Sequence, residues 1–543
     1  MAPNAAAFRY DVVMRLAPDD DFTLELALDE LASPADEPAV LARKLAARLG
    51  GSPAELPPLE VRKRSLDARH GRVRFHIVVG VAGSAALGGA PVREVSGPPV
   101  VIVGGGPAGV FCAYELARAG IASVIVDRGK RVQARRRDLK GLTQHGRVDP
   151  DSNYCYGEGG AGTYSDGKLY TRSHKRGDVR DVIEILAIHG APHDILVDAR
   201  PHIGSNKLPK VITALRETLE TAGSELRFGA RVVELIVRDR RAIGVRLADG
   251  GEVIGRAVVI ATGHSARDVH DLLGRAGVRL EAKPFAMGVR IEHPQPLIDR
   301  IQYGRAAGNP VLPAAAYKLA FTPEDGRGAF SFCMCPGGWI VPSATEPDGV
   351  VVNGMSLSRR DSPFANSGLV VSIDVADLAR LGLALPLGGV ALQRTLERAA
   401  ALAGGGGLRA PATRATDFVR GRASSTVPAT SYQPGLAAGD LAAVLDATGL
   451  PLAARLREAI AAFDRQMRGY LTEDAVLVGV ESRTSSPVRI PRDRDRLESP
   501  DLAGLYPCAE GAGYAGGIVS AALDGIRVAR AIAGLAVRPD RRD

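Results

Sequence analysis

The sequence has few of the features that mark secreted, membrane or metal-binding proteins. Its five cysteines are too few and too scattered for a secreted disulfide framework, so a reducing compartment is expected. No apolar run reaches the roughly eighteen residues of a membrane-spanning helix, and the N-terminus lacks the charged and apolar regions of a signal peptide. No set of histidines and cysteines has metal-ligand spacing. These absences predict a cytoplasmic protein with no membrane partner and no metal.

Lysine is also scarce, since only ten of the 69 basic residues are lysines. The net charge of +8 has the sign that nucleic acids attract, yet acidic residues are interleaved along almost the whole chain. A preference for arginine over lysine reflects the base composition of a genome rather than an anionic partner of the protein. The sequence therefore favours a small-molecule substrate over nucleic acid, and it leaves the oligomeric state open.

Periodicity divides the chain into four parts. Residues 1–95 are predicted to form a small N-terminal α+β domain of βαββ order, with a strand at "FRYDVVMRL", a helix at "PAVLARKLAARLG" and two strands around "DARHGR". Residues 96–281 begin with a strand, a glycine-rich turn, a helix and a second strand. Residues 282–475 alternate strand-like and helical stretches, which predicts an inserted substrate domain. Residues 476–543 end in a strand, a glycine turn and a helix that return to the first sheet.

A glycine fingerprint, Gly104-x-Gly106-x-x-Gly109, follows the buried strand "PVVIV" and opens a helix. The first glycine allows a tight turn, the second lets a pyrophosphate approach the backbone, and the third lets helix and strand pack closely. Asp127 ends the next strand, eighteen residues after Gly109, where a carboxylate can accept hydrogen bonds from ribose hydroxyls. Together these features predict a dinucleotide-binding unit.

Two further motifs favour FAD over NAD. The strand in "VVIATGHSARD" ends in Ala-Thr-Gly, and "GLYPCAEGAGYAGG" places Glu510 before a glycine-rich helix start. Both resemble the secondary motifs of the glutathione-reductase-like FAD fold, in which the late helix directs its positive end at the flavin. FAD is therefore the predicted cofactor. No second glycine fingerprint lies between residues 282 and 475, so any NAD(P)H is expected to act only as a transiently bound electron donor.

Longer motifs carry a closer resemblance. The stretches "SNYCYGEGGAGTYSDGKLYTR", "PFAMGVRIEHPQPLIDRIQYG", "FCMCPGG", "ESRTSSPVRI" and "LYPCAEGAGYAGGIVSAALDG" are similar to the motifs of a family of bacterial FAD-dependent dehydrogenase-like proteins. The resemblance implies an α/β fold: a Rossmann-like FAD-binding domain of the glutathione-reductase type, an inserted α+β substrate domain and the small N-terminal βαββ domain. The chain departs from the family pattern at Tyr154–Cys155 and at Cys508–Ala509, where a glycine normally precedes the glutamate.

The resemblance also implies that a second glycine-rich loop, "GEGGAGTYSDGKLY", lies against the isoalloxazine ring. Its glycines would let backbone N–H groups approach the ring, and Thr163, Ser165 and Lys168 offer donors to N5, O4 or the pyrophosphate. Lys168 could stabilise the anionic reduced flavin. The alternative is a salt bridge from Lys168 to Asp166 or Glu158.

The predicted catalytic residues are Lys168, His264 and Arg483. His264 follows the Ala-Thr-Gly strand and is either a base near the flavin or an ordinary hydrogen-bonding group. Arg483 could bind a substrate carboxylate or the FAD phosphates, or it could hold the interface between domains. The predicted cofactor-binding residues are Gly104, Gly106, Pro107, Ala108, Gly109, Asp127, Arg128, Gly159, Gly160, Thr163, Ser165, Asp166, Thr262, Gly263, Glu510, Gly516, Gly517 and Ile518.

Cys333-Met334-Cys335 raises the question of a redox-active pair. A single residue between the cysteines would make a strained disulfide, so a buried strand end followed by a Pro-Gly-Gly turn is the favoured interpretation.

The predicted function is that of an FAD-dependent oxidoreductase, a dehydrogenase-type enzyme that transfers a hydride between a small organic substrate and flavin N5. The reaction would be a dehydrogenation or desaturation, or the oxidation of an amine or alcohol. One alternative is a flavin monooxygenase that uses transiently bound NAD(P)H. Another is a flavoprotein that acts on or binds RNA through its basic N-terminal unit.

Overall fold

A computed structural model describes residues 16–17, 20–69, 72–83, 87, 89–171, 177–324 and 326–537. The strand expected at "FRYDVVMRL" lies, apart from its last residue, outside this part of the chain. Within the described residues, no helix has both the length and the apolar character needed to cross a membrane.

The N-terminal unit is a three-stranded antiparallel sheet of order β1-β3-β2 with one helix packed against it. Its first strand occupies an acidic segment that was not expected to be a strand. Leu24 and Leu26 are buried there while Glu25 between them is exposed, so a period of two outweighs the local charge. The elements are β1 (Phe22–Ala27), α1 (Glu37–Leu49), β2 (Leu59–Asp67) and β3 (Arg74–Val81).

A five-stranded parallel sheet of order β22-β10-β4-β5-β6 forms the first large domain. Its central strands β10, β4 and β5 contain short apolar runs buried on both faces, as is typical of parallel sheets. An antiparallel meander of β7, β8 and β9 leads into β10. The elements up to β10 and the helix after it are β4 (Ser96–Val103), α2 (Pro107–Arg118), β5 (Ile121–Asp127), α3 (Val132–His145), α4 (Val179–Ile188), α5 (Leu208–Thr221), β6 (Glu225–Phe228), β7 (Val232–Arg238), β8 (Arg241–Leu247), β9 (Glu252–Ile254), β10 (Ala257–Ile260) and α6 (Arg267–Arg275).

A seven-stranded sheet of order β13-β14-β17-β12-β20-β18-β19 forms the second large domain, with helices packed on it. Neighbouring strands run antiparallel except β18 and β19. Its elements are β11 (Glu281–Ala282), β12 (Phe285–Pro294), α7 (Gln295–Tyr303), β13 (Ala320–Phe321), β14 (Ala329–Cys335), β15 (Gly338–Pro342), β16 (Val352–Ser356), β17 (Phe364–Ile373), α8 (Val375–Arg380), α9 (Gly388–Gly404), β18 (Ala410–Arg414), α10 (Ala415–Val419), β19 (Leu436–Ala438), α11 (Leu441–Asp446), α12 (Leu452–Gln466), β20 (Val476–Glu481) and β21 (Val488–Arg489).

The chain returns to the parallel sheet later than the expected boundary at residue 476. β20 starts at that position but pairs with β12 and β18 of the second domain. The return comes with β22 (Leu505–Pro507), and α13 (Ile518–Ile532) then packs on α2. A fully buried run such as "VLVGVE" suits a central strand of either sheet, so its sequence does not decide between them.

Two buried ion networks join the large domains. Glu397 in α9 accepts two hydrogen bonds from Arg267 at the start of α6, at 2.7 and 3.0 Å, and two from Arg483, at 3.0 and 2.9 Å. Asp166, which precedes α4, accepts hydrogen bonds from Ser356 and Arg360 of the second domain. Burial alone would raise the pKa of Glu397, but the two guanidiniums outweigh burial and lower that pKa to about 2.

Glu397→Gln should weaken the fold in a pH-dependent way. Because its pKa in the folded protein lies below the ordinary 4.5, ionised Glu397 contributes stability at neutral pH that is lost as the pH falls from about 5 toward 2. Removing one partner of a buried ion network costs about 3–5 kcal/mol. Urea unfolding at several pH values should show this difference at pH 7 and a smaller one below about pH 4.

The matched control is Glu473→Gln, which removes an exposed acid that pairs with Arg420 at the surface. It should change the free energy of unfolding by at most about 1 kcal/mol. An equal loss at all pH values for Glu397→Gln would contradict the electrostatic explanation.

Candidate functional site

A cleft between the parallel sheet and the second domain brings most of the predicted residues together. It encloses about 1900 Å³ of empty space, its open mouth included. The predicted residues that line it are Gly104, Gly106, Pro107, Ala108, Asp127, Arg128, Gly160, Ser165, Asp166, Lys168, Thr262, Gly263, His264, Arg483, Glu510, Gly517 and Ile518. The predicted residues Gly109, Gly159, Thr163 and Gly516 are not among its lining residues.

The fingerprint glycines have the geometry that their spacing requires. Gly104 has φ +108° in the turn after β4. A Cβ on Gly109 would overlap the carbonyl oxygen of Gly104, whereas a Cβ on Gly106 would meet nothing closer than 3.9 Å. The backbone is therefore open to a ligand at Gly106, where the N-terminus of α2 begins.

Asp127 lines the cleft, but its carboxylate is already bound to the protein. One oxygen accepts the N–H of Gly105 at 2.8 Å, and the other accepts the N–H groups of Gly129 and Gly157 at 2.8 and 2.9 Å. A ribose hydroxyl would have to share these oxygens. Asp127 therefore joins three backbone segments at this end of the cleft.

The second glycine-rich loop begins on the fingerprint rather than far from it. The N–H of Gly159 donates to the carbonyl of Gly105 at 2.9 Å, and a Cβ on Gly160 would lie 2.9 Å from the Cα of Gly106. Glycine is needed at 160 because two backbones meet, and the position also has φ +60°. Only the later part of the loop, from Ala161 to Lys168, extends toward the second domain.

A buried arginine holds this loop in place. Arg135 in α3 is fully buried, and its guanidinium donates to the carbonyls of Asn153, Tyr154, Glu158 and Gly160 at 2.8–3.0 Å. Arg135 was not among the predicted residues, because it stands in the run "ARRRDL" beside two further arginines, both of which are exposed.

Glu158 and Thr163 also serve the loop rather than a ligand. The Glu158 carboxylate accepts the N–H of Val132 at the start of α3 and the Nε–H of Arg216, both at 2.8 Å. The hydroxyl of Thr163 is buried and donates to the Glu158 carbonyl at 2.7 Å. The hydroxyl that was predicted to donate to a flavin therefore points into the loop that it stabilises, and a role for Thr163 in cofactor binding stays a prediction.

The other end of the chain completes the cleft with a helix N-terminus. Gly517 precedes α13 and, with Ile518, lines the cleft, as does Glu510. Glu510 lies 3.3 Å from Nδ1 of His264, which brings these two predicted residues together. Ala509 has φ +59°, which explains why a glycine is usual before the glutamate.

An apolar pocket at the fingerprint end of the cleft was also missed. It is lined by Ala230 and Val232 at the start of β7 and by Val269 in α6. Beside them the guanidinium of Arg128 lies 4.7 Å from the centre of the Tyr156 ring. Apolar walls next to a stacked cation suit a planar heteroaromatic ring. No short motif marks these residues, because they come from three separate parts of the chain.

At the opposite end, the second domain supplies a polar wall. Lys168 Nζ lies 3.6 Å from Asp166 and 3.5 Å from the sulfur of Cys335. Glu481, at the end of β20, is paired with the fully buried Arg290. Burial raises the pKa of Glu481, although Arg290 opposes the shift. The motif "ESRTSSPVRI" contains this carboxylate, but Arg483 was the residue of the motif that was predicted to be catalytic.

Arg483 and Asp166 line the cleft with their charges already neutralised. Nε and Nη2 of Arg483 donate to the two carboxylate oxygens of Glu397, and Nη1 donates to the hydroxyl of Thr345 at 2.7 Å. The interface alternative considered for Arg483 is therefore the one that the geometry supports. Arg360 lies 2.7 Å from Asp166 and, despite burial, lowers the pKa of that carboxyl to about 2 together with Lys168.

These walls fit FAD, a long molecule with a charged centre and two ring systems. The N-termini of α2 and α13 both open on the cleft, which suits the pyrophosphate and the electron-rich edge of a flavin. Gly106 leaves room for phosphate oxygens, and the pocket at Val232 would take the adenine. The two domains and this cleft define a flavoprotein.

Comparison with known proteins places the chain in a family. A model described as FAD-dependent protein, C-terminal domain-like, matches residues 284–484, and an FAD binding domain model matches residues 98–147. A domain of unknown function matches residues 20–82. An uncharacterized protein of Clostridium beijerinckii is 38% identical over 524 residues, which cover 92% of this chain and 96% of that protein. The chain belongs to this family of FAD-dependent proteins.

More distant likenesses are partial. Protein FixC of Salmonella typhi is 29% identical over 247 residues, which cover 42% of this chain and 49% of FixC. Among solved structures, glycine oxidase from Bacillus cereus is 13% identical, covers 81% of this chain and 95% of its own, and has a TM-score of 0.35. A flavin-dependent brominase, Bmp2, is 12% identical with the same TM-score, over 81% of this chain and 80% of its own.

Arg135→Met should release the second glycine-rich loop. Four carbonyls would lose their donor inside the protein, which we expect to lower the free energy of unfolding by about 3–5 kcal/mol and to reduce the flavin content of the purified protein. Denaturant unfolding and the ratio of flavin to protein absorbance measure both effects. Arg136→Met, on the exposed face of the same helix, is the control and should change neither quantity.

Gly160→Leu should reduce FAD occupancy because the new side chain would push the loop away from the fingerprint at Gly106. The control is Gly50→Leu, which has a similar backbone strain at φ +75° but no atom within 4 Å of its Cβ. Both variants should lose some stability, and only Gly160→Leu should lose flavin. Full occupancy in Gly160→Leu would show that this contact does not shape the cleft.

Proposed function

We propose that this protein is an FAD-dependent oxidoreductase that transfers a hydride equivalent between a small organic substrate and flavin N5. The reaction would be a dehydrogenation or desaturation, or an amine or alcohol oxidation. The observation that carries the proposal is the continuity of the cleft from the fingerprint at Gly106 to the polar wall of the second domain. FAD bound along it supplies a two-electron acceptor at N5. The substrate would then bind between that ring and the second domain.

Lys168 supplies positive charge to this part of the cleft. About a third of its side chain is exposed, and its Nζ lies between Asp166 and Cys335. Partial burial works against the charge, but the negative groups around the ammonium raise the pKa of Lys168 above its usual value. A lysine that stays protonated stabilises negative charge that develops on a neighbouring ring or on the substrate. This is the role that the sequence suggested for Lys168.

Glu481 is the carboxyl best suited to accept the substrate proton. It lines the cleft, and its pKa is raised because it is buried. A raised carboxyl pKa brings a general base closer to neutral pH, where proton transfer is most effective. The buried Arg290 holds the carboxylate in one position. His264, paired with Glu510, is the second candidate base in the same cleft.

Lys168→Met should leave FAD bound and make the flavin harder to reduce, because the cation that stabilises the reduced anion is gone. We expect the midpoint potential to fall by about 30 mV, equivalent to about 1.4 kcal/mol for two electrons. An anaerobic redox titration against reference dyes measures it. Lys210→Met, an exposed lysine in α5, is the control and should not shift the potential. An unchanged potential in Lys168→Met would remove Lys168 from the flavin environment.

Anaerobic mixing with panels of amines, alcohols and saturated acyl compounds tests the reaction itself. Loss of the oxidised-flavin absorbance with one class, without any NAD(P)H, supports the proposal, and Glu481→Gln should slow that loss about 100-fold or more. Flavin reduction that requires NAD(P)H and is stimulated by a substrate, with oxygen inserted into that substrate once air is admitted, would instead identify a monooxygenase.

A further inference from the structure

Two cysteines at the end of β14 line the cleft, and neither the sequence motif nor the proposed hydride transfer accounts for them. Cys333 and Cys335 are both free thiols. Cys333 is an exposed residue, whereas Cys335 is buried with 1% of its surface accessible. An exposed cysteine close to a buried one suits thiol–disulfide exchange, because one sulfur meets the external partner and the other resolves the mixed disulfide.

The surroundings of Cys335 favour redox chemistry. Its sulfur accepts hydrogen bonds from Lys168 Nζ at 3.5 Å and from Nη2 of Arg290 at 3.8 Å. It also lies 3.2 Å from the carbonyl oxygen of Cys333, to which the thiol donates. Reactive cysteines occur beside lysine or arginine, while purely structural buried cysteines have apolar neighbours. Cys112 is of the second kind, since it lies in the apolar core between the sheet and the helices.

The backbone is irregular where the two cysteines lie. β14 and β17 lose their register between Phe332 and Cys335, and Cys333 has φ +44°, a conformation that a cysteine adopts only under strain. Residues two apart in an extended chain are separated by at most about 7 Å, and the bulge shortens this toward the range of about 4.4–6.8 Å that a disulfide spans. A single intervening residue would strain the bond, and strained disulfides are the easily reduced, catalytic ones.

We propose that Cys333 and Cys335 form a dithiol–disulfide centre that exchanges two electrons with FAD in the cleft, an inference that rests on the proposed function. On oxidation of the centre, two S–H bonds break and one S–S bond forms. Two electrons and one proton reduce the oxidised flavin, and the second proton leaves to solvent. Small thiols or disulfides are the chemical class that would exchange with this centre through the exposed Cys333.

Anaerobic titration of the air-oxidised, FAD-containing protein with dithionite tests the centre, because a disulfide takes up as many electrons as the flavin does. The wild-type protein should consume about twice the dithionite per FAD that Cys333→Ser and Cys335→Ser consume. Cys112→Ala is the control, since Cys112 lies in the apolar core and not in the wall of the cleft, and it should behave as the wild type. Alkylation and mass spectrometry before and after reduction should find a disulfide between Cys333 and Cys335 only before it.

A second arm uses bis(2-hydroxyethyl) disulfide as the probe. Added anaerobically to the reduced protein, it should reoxidise the flavin in the wild type and in Cys112→Ala at least 10-fold faster than in Cys335→Ser. Equal dithionite uptake in all four proteins, with both thiols alkylated in the air-oxidised sample, overturns the centre. A protein that carries no FAD overturns the proposed function instead, which the flavin absorbance of the starting sample reveals. Cys335→Ala repeats the test if Cys335→Ser does not fold.

Discussion

The cleft depends on one buried cation that pairs with no carboxylate within the described part of the chain. The guanidinium of Arg135 is fully buried and is satisfied by four main-chain carbonyls between Asn153 and Gly160. Burial lowers the pKa of that guanidinium, and the Tyr164 ring, 5.1 Å away, helps to retain its charge. A segment with so much glycine has little apolar surface with which to define its own conformation. The N–H groups of the Arg135 guanidinium, which are fixed in one plane, define the conformation of the loop instead.

Other buried polar groups fix the same loop from different sides. Asp127 holds the N–H of Gly157, and Glu158 joins the loop to the start of α3 through Val132 and to the middle of α5 through Arg216. The glycines can then pack directly on the fingerprint at Gly106 without a side chain between them. A wall held by networks of this kind is already in place before a ligand arrives. The second glycine-rich loop thus packs against the dinucleotide site at one end and reaches the polar wall at the other.

The short-range parts of this site could be predicted from the sequence, and little of the rest could. The turn at Gly104–Gly109 follows from steric rules within six residues, so its geometry could be predicted. The partners of Arg483 and Asp166 could not, because Glu397 and Arg360 lie 86 and 194 residues away in the chain. Any acid of the second domain could have paired with Arg483, and any base of that domain could have paired with Asp166. The same limit applies to β20, whose buried run fits either sheet until its neighbours are known.

Three of the seven non-glycine residues with positive φ in the described part of the chain lie at the cleft. Among the non-glycine residues with positive φ in the described chain, Cys333 and Ala509 line the cleft from opposite sides, and Arg360 binds Asp166 on its wall. Asp239 and Arg240 also have positive φ, but they form the turn between β7 and β8, where such angles are ordinary. Each strained cleft position costs about 1–3 kcal/mol and persists only if its surroundings enforce it.

Those surroundings can be identified at Ala509. Its N–H donates to the buried Asp524 in α13 at 2.7 Å, and Arg492 binds the same carboxylate on both oxygens. Helix α13 therefore holds the turn that places Glu510 in the cleft. Cys333 is held by hydrogen-bonded neighbours instead, since Arg290 donates to its carbonyl at 2.6 Å while pairing with Glu481. One arginine thus couples the strained cysteine to the carboxyl with the raised pKa, so a change in the charge of either group is felt by the other.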